Sequence, residues 1–118
     1  RKVVIVDLAL STTAQGERTI VHVGGEIDVY TAPQLRRRLD EPIHAGCRDL
    51  IVDLGRVTFL DSTGLGVLVG RLKMVRSQGG RMRIVGATDR VLKVFTITGL
   101  DRVLEMFPTL ADVPDDPA

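Results

Sequence analysis

The run Asp61-Ser62-Thr63-Gly64-Leu65-Gly66 places a carboxylate, two hydroxyls and two glycines directly before an apolar helical stretch, within "FLDSTGLGVLVGRLKMV" (59–75). An acid or hydroxyl at such a junction suits an N-cap, because it accepts from backbone N–H groups that the first helical turn leaves unpaired. One capping side chain suffices, however. Glycines two and four residues after Ser62 also weaken a helix by about 1 kcal/mol each relative to Ala. Something other than helix stability therefore selects them, and they leave room for another molecule to approach the first turn.

Four chemistries come into question for this turn, and three fail on the rest of the chain. A nucleophilic serine needs a general base. Residues 60–64 read Leu-Asp-Ser-Thr-Gly rather than G-x-S-x-G, and His22 and His44 lie in segments that do not lead toward Ser62. The chain has no G-x-x-x-x-G-K-[ST] phosphate loop and no Cys/His cluster, so no cofactor, no metal and no catalytic residue is expected. What survives is a phosphoacceptor: an exposed hydroxyl at a helix start that another protein modifies. Phosphorylation would take the formal net charge from +1 to about −1. The helix dipole favours that charge, whereas Asp61, Asp28 and any acid on a partner oppose it. Two unit charges about 5 Å apart at an effective dielectric of about 20 repel by roughly 3 kcal/mol. About 2.7 kcal/mol is already a hundredfold in affinity. One phosphate can thus release a partner without unfolding the domain.

The elements that must position this turn follow from periodicity. "KVVIVDLAL" (2–10) and "RTIVHVGGEID" (18–28) read as strands joined by a polar turn at 11–16, with the first strand antiparallel at one side of the sheet. "TAPQLRRRLDEPIHAG" (31–46) reads as a helix, capped by Thr31 with Gln34 closing a capping box and Pro33 in the first turn. Pro42 should kink or end it. "RDLIVDLGRVTFL" (48–60) is a strand buried on both faces, followed by a helix whose stripe is Leu65, Leu68, Val69, Leu72 and Val75. "RMRIVG" (81–86) is a strand, Thr88 caps a helix over "DRVLKVFTIT" ended by Gly99, and "RVLEMF" (102–107) is a last strand before one helical turn at "TLADV". The order β-β-α-β-α-β-α-β predicts one α/β domain with a mainly parallel sheet. In such sheets the working edge lies at the carboxyl ends of the strands, which puts Asp28, Ser62 and Thr88 on one edge.

With 118 residues, 44% hydrophobic and 26% charged, the chain suits one domain over 1–113, with "PDDPA" (114–118) as a flexible acidic tail. A net charge of +1 singles out neither nucleic acid nor an anionic membrane, and no apolar run approaches a membrane span. The single cysteine, Cys47, excludes an internal disulfide and fits a cytoplasmic protein. It reads as structural, Arg36-Arg37-Arg38 as a solvated helix face, and Phe59, Leu60, Phe95 and Phe107 as core. Leu65 fits either the core or a docking surface. The absent start methionine is compatible with a fragment of a longer chain.

"GEIDVYTAPQLRRRL" (25–39), "IVDLGRVTFLDSTGLGVLVG" (51–70), "GGRMRIVG" (79–86) and "VFTITGLDRVLEMF" (94–107) together resemble the anti-sigma factor antagonists, which are built on the sulfate transporter and anti-sigma factor antagonist (STAS) domain. The D-S-[ST]-G-L-G signature is the most specific element. The resemblance implies a STAS-like fold and a binding protein rather than an enzyme. It implies that Ser62 is phosphorylated by an anti-sigma factor that is also a serine kinase of the histidine-kinase-like ATPase fold. The unphosphorylated form would bind that kinase and free a sigma factor, and a PP2C-type phosphatase would reset the phosphorylated form. Asp61 is then the acid beside the acceptor, Thr63 fills the Ser/Thr place, and Gly64, Leu65 and Gly66 complete the turn facing the kinase. Asp28, from the G-E-[IL]-D segment, is expected close to the phosphoserine. A regulatory STAS module within a transporter or stress-signalling assembly is the alternative.

Overall fold

The computed structural model describes residues 7–115. The opening of the expected first strand and the last residues of the acidic tail lie outside them. Five strands form one sheet in the order β1-β2-β3-β4-β5: β1 (Ala9–Gln15), β2 (Arg18–Ile27), β3 (Asp49–Leu60), β4 (Arg81–Val85) and β5 (Glu105–Phe107). β1 runs antiparallel to β2 and every other pair is parallel. Three helices connect them: α1 (Ala32–His44), α2 (Ser62–Ser77) and α3 (Asp89–Thr98).

Strand alternation sorts the core into two layers. Val21, Val23, Leu50, Val52, Leu54, Met82 and Ile84 pack against Leu35, Leu39 and Ile43 of α1, Leu68, Leu72 and Val75 of α2, and Phe95 of α3. Each such fully buried aliphatic side chain contributes about 2 kcal/mol of transfer free energy. The intervening positions Ile20, Ile51 and Val85 point the other way and are covered by Val113, Phe107 and Leu110 of the C-terminal segment.

Four local expectations are corrected. The first strand occupies Ala9–Gln15, so most of the expected turn at 11–16 is strand, and the chain reverses at Gly16 (φ +61) and Glu17. β1 is an edge strand with almost every residue exposed, so it carries no apolar alternation to read. α1 continues past Pro42 to His44; the proline stands in the last turn, and the end is closed by the Ala45 and Gly46 N–H groups. Thr31 makes no side-chain cap and no capping box forms. Gln34 instead accepts from Leu8 N and donates to Asp7, tying the helix to the chain ahead of β1. Finally, the last strand is only Glu105–Phe107, because Leu100–Arg102 form a 3-10 turn after Gly99.

The register between β2 and β3 decides where the functional edge lies. Pairing begins at Arg18↔Asp49 and ends at Ile27↔Leu60, with shifts between His22 and Gly24 and between Gly25 and Glu26. Each shift leaves one extra residue on β3. Buried positions on β3 therefore change from a spacing of two to a spacing of three at Leu54, Val57 and Leu60. The two strands thus end level, and Asp28 and Asp61 leave the sheet side by side.

Candidate functional site

Ser62 opens α2 directly beyond the carboxyl end of β3. Asp61 is the N-cap: its Oδ1 accepts from Thr63 N at 2.9 Å and from Gly64 N at 3.2 Å, while its carbonyl accepts from Leu65 N at 3.0 Å. Asp61 N donates to Ile27 O at 3.2 Å, which fixes the turn against the end of β2. Ser62 and Thr63 are exposed, and Ser62 Oγ has no hydrogen-bond partner among the described residues. Ser62 is therefore not the cap; Asp61 fills that role and leaves the hydroxyl free.

The two glycines divide by function. A Cβ on Gly64 would stand 2.5 Å from Ile27 Cγ2 and 2.5 Å from Leu60 Cδ1, so this position must be glycine for α2 to seat on the strand ends. A Cβ on Gly66 would meet nothing within 4 Å, and the residue is exposed. Only Gly66 leaves open space of the kind expected of both. Leu65 is 5% exposed and belongs to the core, which settles its two readings. Gly64 and Leu65 thus shape the turn from within, and its accessible atoms are those of Asp61, Ser62, Thr63 and Gly66.

Asp28 stands one residue beyond Ile27, on the strand end level with Asp61. Its Oδ1 accepts from Tyr30 N at 2.9 Å and Thr31 N at 3.0 Å, and its carbonyl accepts from Ala32 N at 2.8 Å. Thr31 Oγ1 accepts from Asp28 N at 2.9 Å and donates to Glu26 O at 2.7 Å. Asp28 therefore orders the turn ahead of α1, while the Gln34 and Leu35 N–H groups of the first helical turn bond the Thr31 carbonyl at 2.9 and 3.3 Å. Thr88 sits on the third strand end and caps α3 through its Oγ1, which accepts from Val91 N at 3.3 Å.

A histidine with a carboxylate partner does exist, away from this edge. His22 Nδ1 lies 2.8 Å from Asp53 Oδ2, and His22 Nε2 lies 3.1 Å from Thr13 Oγ1, across β1, β2 and β3. His22 alternates with Val21 and Val23, so it projects from the face opposite the helices, at mid-strand, and forms no hydrogen bond to Ser62. The signal that could have revealed the pair is register, since His22 and Asp53 are direct cross-strand partners. No group of three or more potential metal-ligating side chains forms among the described residues.

A surface groove of about 1130 Å³ opens at the far end of the strands and is lined by residues that include Arg18, Cys47, Arg48, Asp49 and Arg81. Arg83 and Arg18 hold Asp49 at 2.7 and 3.1 Å. Burial pushes the Asp49 carboxyl up, but hydrogen bonds and charge from Arg83 and Arg18 outweigh it and hold it below the usual carboxylate range. Arg18 also donates to Pro114 O at 2.7 Å, which ties down the first residue of the expected tail. Neither this groove nor the one of about 590 Å³ over His22 and Asp53 includes Ser62. An exposed hydroxyl outside both of these grooves suits docking by a macromolecule rather than capture of a small substrate. Two further expectations resolve here: Phe59 is 41% exposed rather than core, and Phe107 is half-buried, whereas Leu60 and Phe95 are buried.

Known proteins match this arrangement. The STAS domain model matches residues 9–113. An anti-sigma-B factor antagonist of Staphylococcus aureus is 41% identical over 101 residues, covering 86% of this chain and 94% of that protein. One of Bacillus subtilis is 44% identical over 93 residues, covering 78% and 84%. The crystal structure of an anti-sigma factor antagonist from Mycobacterium paratuberculosis superposes with a TM-score of 0.82 at 28% identity, covering 89% of each chain. With the STAS domain model matching residues 9–113 and relatives at 41% and 44% identity over most of their own length, the chain belongs to the STAS domain family.

Proposed function

We propose that this chain is an anti-sigma factor antagonist whose binding is switched by phosphorylation of Ser62. The observation that carries the reading is the exposed, unpartnered Ser62 hydroxyl at the start of α2, presented by a turn whose capping needs Asp61 already meets. The partner is an anti-sigma factor with serine kinase activity and a histidine-kinase-like ATPase fold, met in the cytoplasm. In the unphosphorylated state the edge formed by Asp28, Asp61, Ser62, Thr63 and Gly66 docks on that kinase, which then gives up its sigma factor. Gly64 and Leu65 act by holding the turn.

In the transfer so proposed, the kinase supplies both the phosphate and the base. Ser62 Oγ attacks the γ-phosphorus of the kinase's ATP, the bond to the ADP oxygen breaks, and the hydroxyl proton passes to a base on the kinase. The product cannot draw the charge of its phosphate into the Thr63 and Gly64 N–H groups, because Asp61 Oδ1 already accepts from both. Two negative charges of phosphate therefore stand beside Asp61 and face the partner, and repulsion of roughly 3 kcal/mol per close pair drives release. A PP2C-type phosphatase restores the hydroxyl. The test is to incubate the protein with its cognate kinase and ATP and follow intact mass. One added phosphate, absent in Ser62→Ala, is expected; an unchanged mass, or phosphate retained in Ser62→Ala, overturns the assignment.

A further inference from the structure

Ser62 lies beside an apolar feature that the fold itself does not use. The chain has one Tyr and no Trp, and that single Tyr30 is 85% exposed, with Val29 next to it at 58%. Both stand on the β2–α1 turn, directly after Asp28, level with the Asp61-Ser62 turn. A third exposed apolar side chain, Phe59, pairs across from Glu26 two residues before Asp61. Leu92, Ile97 and Val103, the other exposed large aliphatic residues among those described, belong to α3 and the segment after it.

The turn that carries Val29 and Tyr30 is held unusually firmly for an exposed loop. Asp28 Oδ1 fixes the Tyr30 and Thr31 N–H groups, and Thr31 Oγ1 bridges Asp28 N and Glu26 O. A backbone already fixed loses little conformational entropy on binding, and a tyrosine has only two side-chain torsions to order. Aromatic side chains presented in this way are the residues that dominate protein interfaces.

Resting on the reading of Ser62 as phosphoacceptor, we infer that Tyr30, supported by Val29, is the apolar anchor by which the kinase grips this protein. A kinase that brings its nucleotide to Ser62 Oγ must cover the edge where β2 and β3 end, and Tyr30 projects from that edge. The charged side chains at these two strand ends are Glu26, Asp28 and Asp61, all acidic, and the proposed partner carries anionic ATP. Charge at this spot therefore opposes docking, and desolvation of Tyr30 and Val29 supplies the attraction. Phosphorylation leaves the anchor intact and adds repulsion beside it.

The experiment measures binding of unphosphorylated wild type, Tyr30→Ala, Tyr30→Phe and Val29→Ala to the nucleotide-loaded kinase by titration calorimetry, together with steady-state phosphorylation of each. Thermal unfolding checks that the variants remain folded. Tyr30→Ala should weaken binding by about thirtyfold or more, the range of an interface hot spot. Its defect should appear in KM rather than kcat, and Tyr30→Phe should retain most of the affinity. Tyr30→Ala binding within twofold of wild type overturns the anchor while leaving Ser62 as acceptor. If the wild type is neither bound nor phosphorylated, the Ser62 reading falls first and the anchor with it.

Discussion

Two glycines, two residues apart, occupy the first turn of α2 and do opposite things. Gly64 is enclosed by Ile27 and Leu60, so a methyl group there must displace core atoms, whereas Gly66 faces open space. Gly64→Ala should therefore destabilise the domain by about 1–3 kcal/mol through overpacking, despite the gain in helix propensity. Gly66→Ala should stabilise it by up to about 1 kcal/mol, since the backbone is helical and nothing obstructs the methyl. Urea unfolding of both variants checks the signs. If Gly66 serves close approach of the kinase, Gly66→Ala should also bind the kinase more weakly even though it is the more stable protein. The motif was legible in the sequence because a helix start, its cap and its stripe are local. The difference between the glycines was not, because Ile27 lies far from Gly64 in the chain and meets it only once β2 and β3 are in register.

Elements that carry their own signal matched it, and those that borrow stability from neighbours did not. Of the expected stripe, Leu65, Leu68, Leu72 and Val75 are buried as their spacing predicts, and Val69 is half-buried at its edge. β1 has no stripe, because as an edge strand paired only with β2 it leaves almost every residue exposed. Phe59 was read as core on hydrophobicity alone; no element covers its face of β3 near the functional edge, so it stays exposed. The register shifts in β2–β3 did leave a trace, the change to three-residue spacing at Leu54, Val57 and Leu60, which reads as continuous burial until the partner strand is known. α1 shows how an element tolerates a poor residue. Pro42 lacks the N–H that would bond Arg38 O, yet Leu39 and Ile43 on either side are fully buried and hold the last turn. Pro42→Ala should restore that bond and raise stability by about 1–2 kcal/mol, less than a mid-helix proline costs, because Pro42 already stands in the last turn. A fall in the urea midpoint would show that Pro42 has a packing role that outweighs its missing donor.

Across the whole molecule, the two ends of the sheet are specialised. The amino ends of the strands carry the Asp49 cluster with Arg18, Arg83 and Arg81, which joins β2, β3 and β4 and receives the C-terminal segment through Pro114. Because the folded carboxyl of Asp49 is held below its unfolded value, its contribution is complete above about pH 4 and is lost as pH falls through the lowered folded value. Asp49→Asn should cost about 3 kcal/mol near neutral pH by leaving Arg83 buried without its counter-charge. It should also flatten the acid limb of a stability–pH curve; an unchanged acid limb would contradict the linkage. The carboxyl ends carry Asp28, Asp61 and Ser62, so the proposed switch at Ser62 would change partners at one end without loosening the other. The most direct measurement is the affinity of the nucleotide-loaded kinase for the protein before and after phosphorylation, with Ser62→Asp alongside. Phosphorylated protein should bind about a hundredfold more weakly at an unchanged melting temperature, with Ser62→Asp shifted in the same direction. Equal affinity of the two forms would contradict a switch at Ser62.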